Sequence, residues 1–173
     1  MSAIAVRTTL REGDLDEIVR LHGTVYAKEF GFDATFETYV AGPLAAFGAR
    51  RSRHERIWIA ESEGRIVGCV AVVDAGTRIA QLRWYLVDPS VRGAGLGSTL
   101  LDEAIAFARK AGYRTIFLWT VSLLAAAARR YAAAGFLKVE ERAVRHWGLH
   151  VIEEQYALVL ADNPGQLPNS RIS

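Results

Sequence analysis

Leu82 to Leu101 reads LRWYLVDPSVRGAGLGSTLL. A hydrophobic strand closes at Val87, Asp88-Pro89 turns the chain, and Arg92-Gly93-Ala94-Gly95-Leu96-Gly97 opens directly into a helix starting near Ser98. Glycines at alternate positions let the backbone fold tightly and leave no Cβ in the path of a ligand. The first amides of a helix have no partner inside it and point outward. With the helix dipole and the Arg92 charge they make a cradle for a phosphate or pyrophosphate. A dinucleotide fold wants Gly-x-Gly-x-x-Gly early in a βαβ unit, with an acidic residue about 20 positions later. Here the order is Arg-x-x-Gly-x-Gly, mid-chain, and no following strand ends in a suitable Asp or Glu. A P-loop would need Lys before its Ser/Thr, and Gly97-Ser98-Thr99 has none.

The rest of the chain bounds what such a cradle can serve. At 173 residues a single domain is the default, and a chain of this size buries roughly 70% of its unfolded surface. Hydrophobic residues make up 51% and charged residues 23%, as in an ordinary soluble globule. No apolar run approaches a membrane span, and the first residues lack the pattern of a signal peptide, so no membrane partner and a cytoplasmic home are expected. Cys69 is the single cysteine, within the apolar run Ile66 to Val73, where a buried inert thiol is the natural reading. A net charge of +2 gives no argument for nucleic acid. The basic run Arg50 to Arg56 lies between a helix and a strand and reads as a solvated connection, with a phosphate or acidic-partner contact as the alternative.

Along the chain, Ile4 to Thr9 reads as a first strand, and Gly13-Asp14 announces a helix with Asp14 as N-cap. A second helix is expected over about Phe36 to Phe47, interrupted or bent near Gly42-Pro43. Ile57–Glu61 and Arg65–Val73 form a hairpin, Ile79–Val87 a strand, and the helix after the cradle ends at Gly112. Then come a strand Thr115–Thr120, an alanine-rich helix Leu124–Ala134, and strands over about Leu137–Val144 and Val151–Leu160. One domain over 1–161 and a loose tail over 162–173 are expected. The order calls for an α/β mixed sheet flanked by helices, with parallel pairing around the crossover helices.

The string V-D-P-x-x-R-G-x-G-L-G-x-x-L-L, together with A-x-x-x-Y-x-x-x-G-F from Ala127 to Phe136, resembles the GNAT acyltransferase family over nearly the whole chain. The resemblance implies a GNAT-type fold and acetyl-CoA as cofactor. Arg92, Gly93, Ala94, Gly95, Leu96, Gly97 and Ser98 would hold the pyrophosphate, and backbone groups of Leu86 and Val87 the pantetheine arm. Amine attack on a thioester expels a thiolate, and Tyr131 is the phenol placed to protonate it; a core aromatic is the other reading. Many family members carry Asn where this chain has Leu124, so Ser122 or a water would have to replace that contact. The segments HGTVYAKEFGF, LRWYLVDP, LWTVS and HWGLHVIEEQYAL resemble more narrowly the acetyltransferase half of proteins fused to a MarR-type DNA-binding domain. This chain starts directly at the first GNAT strand, so promoter regulation by it alone is not expected.

The acceptor side is less legible. His22, Tyr26 and Glu29 share one stripe of the first helix with Leu15, Ile18 and Val25. A carboxylate on an apolar face is paired or functional, so Glu29 is a candidate to bind the acceptor ammonium or take its proton, with a helix-end salt bridge as the alternative. His22 reads either as a satisfied core histidine or as an acceptor contact. Strand alternation puts Arg83, Tyr85 and Val87 on one face, and a mid-sheet arginine needs a partner: Glu29 or a carboxylate substrate. Trp119 would line the cleft or pack in the core, and His146-Trp147 would close the acceptor pocket from a loop. His22, His54, His146 and His150 make no metal set, and Ser98 lies in no nucleophile elbow.

The resulting expectation is an acetyl-CoA-dependent N-acetyltransferase acting on an amine of a small molecule or amino acid, by direct attack in a ternary complex. The rival is a non-catalytic acyl-CoA-binding sensor or partner-binding module. A homodimer is expected from the resemblance alone.

Overall fold

The computed structural model describes residues 2–160; the expected tail over 162–173 lies outside them. A seven-stranded sheet in the order β1-β2-β3-β4-β5-β7-β6 carries two helices on each face. The elements are β1 (Ala5–Arg7), α1 (Asp14–Phe30), α2 (Thr35–Ala49), β2 (Arg56–Ser62), β3 (Arg65–Asp74) and β4 (Ile79–Val87). They continue with α3 (Leu96–Lys110), β5 (Thr115–Val121), α4 (Ala125–Ala133), β6 (Leu137–His146) and β7 (Leu149–Val159). One 3-10 turn, Pro89–Val91, links β4 to the cradle.

Side-chain alternation in the central strands divides the core in two. Val70 and Val72 of β3 face Leu100, Leu101, Ala104 and Ala108 of α3. Cys69, Ala71 and Val73 face Ile18 of α1 and Phe36, Val40, Leu44 and Phe47 of α2. The strand that decides the site therefore lies between two fully packed layers.

Several local expectations need correction. Asp14 is the first helical residue rather than the cap; Gly13 takes the cap position at φ +84°. The Asp14 carboxylate instead receives two bonds from Arg7, at 2.7 and 2.8 Å, and one from the Arg11 amide at 2.6 Å. Arg7 is held also by Glu61 at 2.7 Å, and β1 covers only Ala5–Arg7, shorter than Ile4–Thr9. Helix α2 runs without interruption through Gly42-Pro43. It is anchored by Leu44 and Phe47 on its buried side. The last two strands extend further than their composition suggests, leaving Trp147-Gly148 as a two-residue turn with φ of +51° and +80°. His146 and His150 are thus strand residues, not loop residues.

The correction that matters most lies in β4. Cys69 pairs with Leu86 and Ala71 with Arg83, so Trp84 and Tyr85 together oppose one residue of β3. This bulge, with Trp84 at φ +50°, reverses the alternation. Tyr85 and Val87 turn toward the α3 layer, while Trp84 packs in the α2 layer and Arg83 lies beside Pro43 and Ala46 of α2. Arg83 does not share a face with Tyr85 and Val87. The buried thiol of Cys69 donates to the Trp84 carbonyl at 3.0 Å, giving the bulge an internal partner.

Candidate active site

Strands β4 and β5 pair in parallel only over Ile79–Gln81 with Thr115–Phe117. Beyond Gln81 they separate, because β4 is diverted by its bulge while β5 stays bonded to β7 as far as Val121. Each strand consequently keeps an unpaired backbone edge facing the other, and a cleft opens between them. Two compartments meet there, sharing Tyr26, Tyr85 and Leu124.

The first compartment runs along Tyr85, Leu86, Val87 and Arg92 on one side and Leu123 to Ala127 and Arg130 on the other. At its end the Pro89–Val91 turn delivers the chain to the glycines. Gly93 and Gly95 have φ of +85° and +84°, a region costly for a side chain, and no atom lies within 4 Å of where their Cβ atoms would be. Helix α3 begins at Leu96, two residues earlier than expected, so Gly97 and Ser98 belong to its first turn and their amides are free of intrahelical bonds. Gly97 is confined from the other side: its Cβ would lie 2.9 Å from the Tyr85 hydroxyl and 2.8 Å from the Arg130 guanidinium. Tyr85 already donates to the Gly97 carbonyl at 2.8 Å. Open space before the helix, close packing behind it, and Arg92 and Arg130 alongside make a site shaped for a phosphorylated, extended ligand.

Glu29 enters this compartment, not the acceptor side. Its carboxylate grips Arg92 through both oxygens, at 2.6 and 3.1 Å. It therefore does not partner Arg83, which makes no ion pair among the described residues and lies 4.9 Å over the ring of Trp84. Ser122 also falls outside the cleft; its amide donates to the Ile152 carbonyl, and it borders a groove with His150 and Val151. Leu124 lines both compartments, so the position where many relatives carry Asn presents an apolar surface here.

The second compartment brings together His22, Tyr26, Arg83, Trp119 and Tyr131. Tyr131 is 5% exposed, set among the rings of Tyr85, Phe136 and Tyr156 at 5.8–5.9 Å. Its hydroxyl has no hydrogen bond to another described residue, and burial raises its pKa well above that of a free phenol, so it holds its proton at neutral pH. His22 is 3% exposed; Nδ1 lies 2.8 Å from the Ile18 carbonyl and Nε2 has no partner. Burial lowers its pKa to about 4, which leaves a neutral ring whose Nδ1 carries the proton. Thr120 Oγ1 is a second buried atom without a partner in this compartment.

His146 stays at the rim, 3.4 Å from Glu153, and its neighbour Trp147 reaches the cleft. Trp147 stacks on Phe32 at 4.8 Å and accepts, through its carbonyl, the amide of Asp33, which ties the last hairpin to the α1–α2 junction. Sequence reasoning missed Arg130, Thr120, Phe36 and Tyr39. The first two had a signal, one residue from Tyr131 and one from Trp119; the aromatics of α2 had none beyond lying on a helix. No helix among the described residues is long and apolar enough to cross a membrane. No three metal-ligating side chains converge among them.

The chain matches the family model described as Acetyltransferase (GNAT) family over residues 17–136. It is similar to an uncharacterized N-acetyltransferase of Schizosaccharomyces pombe, 33% identical over 144 residues, covering 80% of this chain and 86% of that protein. It is also similar to the N-acetylaspartate synthetase of Xenopus tropicalis, 34% identical over 83 residues, 47% of this chain and 31% of that one. Several mammalian relatives are longer, and the chain spans about half of their length. Among solved structures, the Salmonella typhimurium protein yncA with its cofactor acetyl-CoA superposes with a TM-score of 0.74 at 20% identity, over 94% of this chain and 97% of that one.

Proposed function

The chain belongs to the acetyltransferase (GNAT) family, and from its split sheet we propose that it transfers the acetyl group of acetyl-CoA to an amine in a ternary complex. One observation carries this reading: a phosphate cradle and a buried, protonated tyrosine open onto the same gap between two diverging strands. The cradle fits the cofactor's pyrophosphate, because Gly93 and Gly95 leave open space where side chains would intrude, and Arg130 supplies charge beside the Arg92–Glu29 pair. The edge of β4 that no strand covers would meet the amide-bearing arm at Leu86 and Val87, where the Val87 carbonyl already accepts Arg92 Nε at 3.0 Å. Bound acetyl-CoA supplies the thioester carbon.

The protein's part follows from its residues. The amine nitrogen bonds to the acetyl carbon, the carbon–sulfur bond breaks, and the leaving sulfur takes a proton from the Tyr131 hydroxyl. The neutral amine's surplus proton replaces, through the cleft, the one that Tyr131 gave up, so amine and acetyl-CoA become amide and CoA thiol and the phenol is restored. Glu29, engaged at both oxygens by Arg92, is read as the residue that orients Arg92 rather than as the proton acceptor. The narrower likeness to the acetyltransferase half of MarR fusions rests on the four quoted segments and adds no residue to this scheme.

The test is thiol release from acetyl-CoA over a panel of amines. Acetylated product with stoichiometric free CoA supports transfer; tight acetyl-CoA binding with no turnover on any amine would favour the sensor. Cys69 does not disturb a thiol assay, since it is fully buried and burial pushes its pKa up to about 12.

A further inference from the structure

The acceptor compartment is walled by aromatic rings from two helices, two strands and the turn between β6 and β7. Tyr26, Phe36, Tyr39, Trp84, Trp119 and Trp147 all line it. Trp147 meets Phe36 edge-on at 5.0 Å and Tyr39 at 5.2 Å, and Tyr26 lies 4.6 Å from Phe36. These rings hold one another in place, so the walls are formed before a ligand arrives.

Two charged residues border the compartment, Arg83 and Glu153. Glu153 is already neutralised, by Arg142 at 2.8 Å with His146 at 3.4 Å. Arg83 makes no ion pair among the described residues; it lies on the α2 side of β4, between this compartment and a groove that Glu55, itself paired with Arg50, and Asp74 also border, while the bulge turns Tyr85 and Val87 to the other side. The compartment therefore has aromatic walls and one positive charge held in no ion pair. On two residues that line it, His22 Nε2 and Thr120 Oγ1 are buried atoms without a hydrogen-bond partner.

We propose that the acceptor is an α-amino acid with an aromatic or comparably large apolar side chain, its carboxylate held by Arg83 and its side chain by the aromatic walls. This inference rests on the acetyl-transfer reading above. The neutral α-amine bonds to the acetyl carbon as the carbon–sulfur bond breaks; one of its protons stays on the amide nitrogen, and the other restores the Tyr131 proton passed to the CoA sulfur. An arylalkylamine fills the walls but leaves Arg83 unpaired; glycine pairs Arg83 but leaves the rings wet.

The experiment is thiol release at saturating acetyl-CoA with L-phenylalanine, L-tryptophan, phenethylamine and glycine. The expected result is a kcat/KM for an aromatic amino acid about tenfold or more above both phenethylamine and glycine, the size of a charge-assisted hydrogen bond or a buried ring. Arg83→Gln should shrink the L-phenylalanine to phenethylamine ratio about tenfold, through KM, and Arg83→Lys should recover part of it. Phenethylamine matching L-phenylalanine, or a ratio that a folded Arg83→Gln protein leaves unmoved, overturns the inference. So does an enzyme that acetylates other amines but no aromatic amino acid. If acetyl-CoA itself does not bind in calorimetry, the transfer reading fails, and direct titration with L-phenylalanine then judges the pocket alone. The wild-type panel decides even if an Arg83 variant does not fold.

Discussion

Tyr131 is held neutral by its surroundings, and that fixes how it should behave. Its phenol has lost water on every side to the rings of Tyr85, Phe136 and Tyr156, so the charged form is disfavoured. Tyr131→Phe should lower kcat about 10²-fold with little change in acetyl-CoA affinity; equal turnover would remove Tyr131 from the chemistry. Because it keeps its proton far into the alkaline range, kcat should not fall between pH 7 and 9 through this group. Glu29→Gln should act mainly on the Kd for acetyl-CoA, since the carboxylate grips Arg92; a 10²-fold loss in kcat would make Glu29 the proton acceptor instead. The place of Tyr131 in the cleft was legible because its spacing to Gly135-Phe136 is a local pattern at the end of one helix. The Glu29–Arg92 pair was not, because the two residues are 63 positions apart and only the fold brings them together.

At the scale of elements, the cradle and the strand before it were readable and the bulge was not. Glycines at positive φ announce themselves, as at Gly93 and Gly95. Trp84 at φ +50° does not, since tryptophan is a favoured strand residue and nothing local forbids regular alternation. What holds the bulge is tertiary: Trp84 packs against Phe47 at 5.5 Å, and the Cys69 thiol fills its carbonyl. The Asp14 cap failed for a related reason, as Arg7 from β1 claims the carboxylate first. Removing that charge should be costly. Asp14→Asn leaves the Arg7 guanidinium half-paired and should destabilise by about 3 kcal/mol, read from chemical denaturation.

The whole molecule is a sheet between two packed layers, and its element order was legible throughout because crossover helices and tight turns leave strong local marks. The shape of the aromatic compartment was not, since its rings come from two helices, two strands and a turn far apart in sequence, and only the fold brings them together. At this scale burial also sets a pH dependence. The His22 pKa falls from 6.5 to about 4 on folding, so between those values the unfolded chain binds a proton that the native protein does not. Stability is therefore full above pH 6.5 and declines as pH falls toward 4. Asp14 adds to the loss further into acid: burial raises its pKa, but the bonds from Arg7 and Arg11 outweigh this and leave it below the ordinary carboxylate value. Thermal midpoints of the wild type should fall from pH 6.5 to 4.5, and His22→Gln should flatten that slope; an unchanged slope would mean that His22 is not the group responsible.

The most direct measurement is calorimetric titration of the purified protein with acetyl-CoA, beside a Gly95→Glu variant. Gly95 has φ +84° with open space before it, so a glutamate there would strain the loop and place negative charge in the cradle. Micromolar binding by the wild type, lost by at least tenfold in a folded variant, is the predicted result. Absence of binding at millimolar acetyl-CoA, or equal binding by both proteins, would contradict the assignment of this loop as the cofactor's pyrophosphate site.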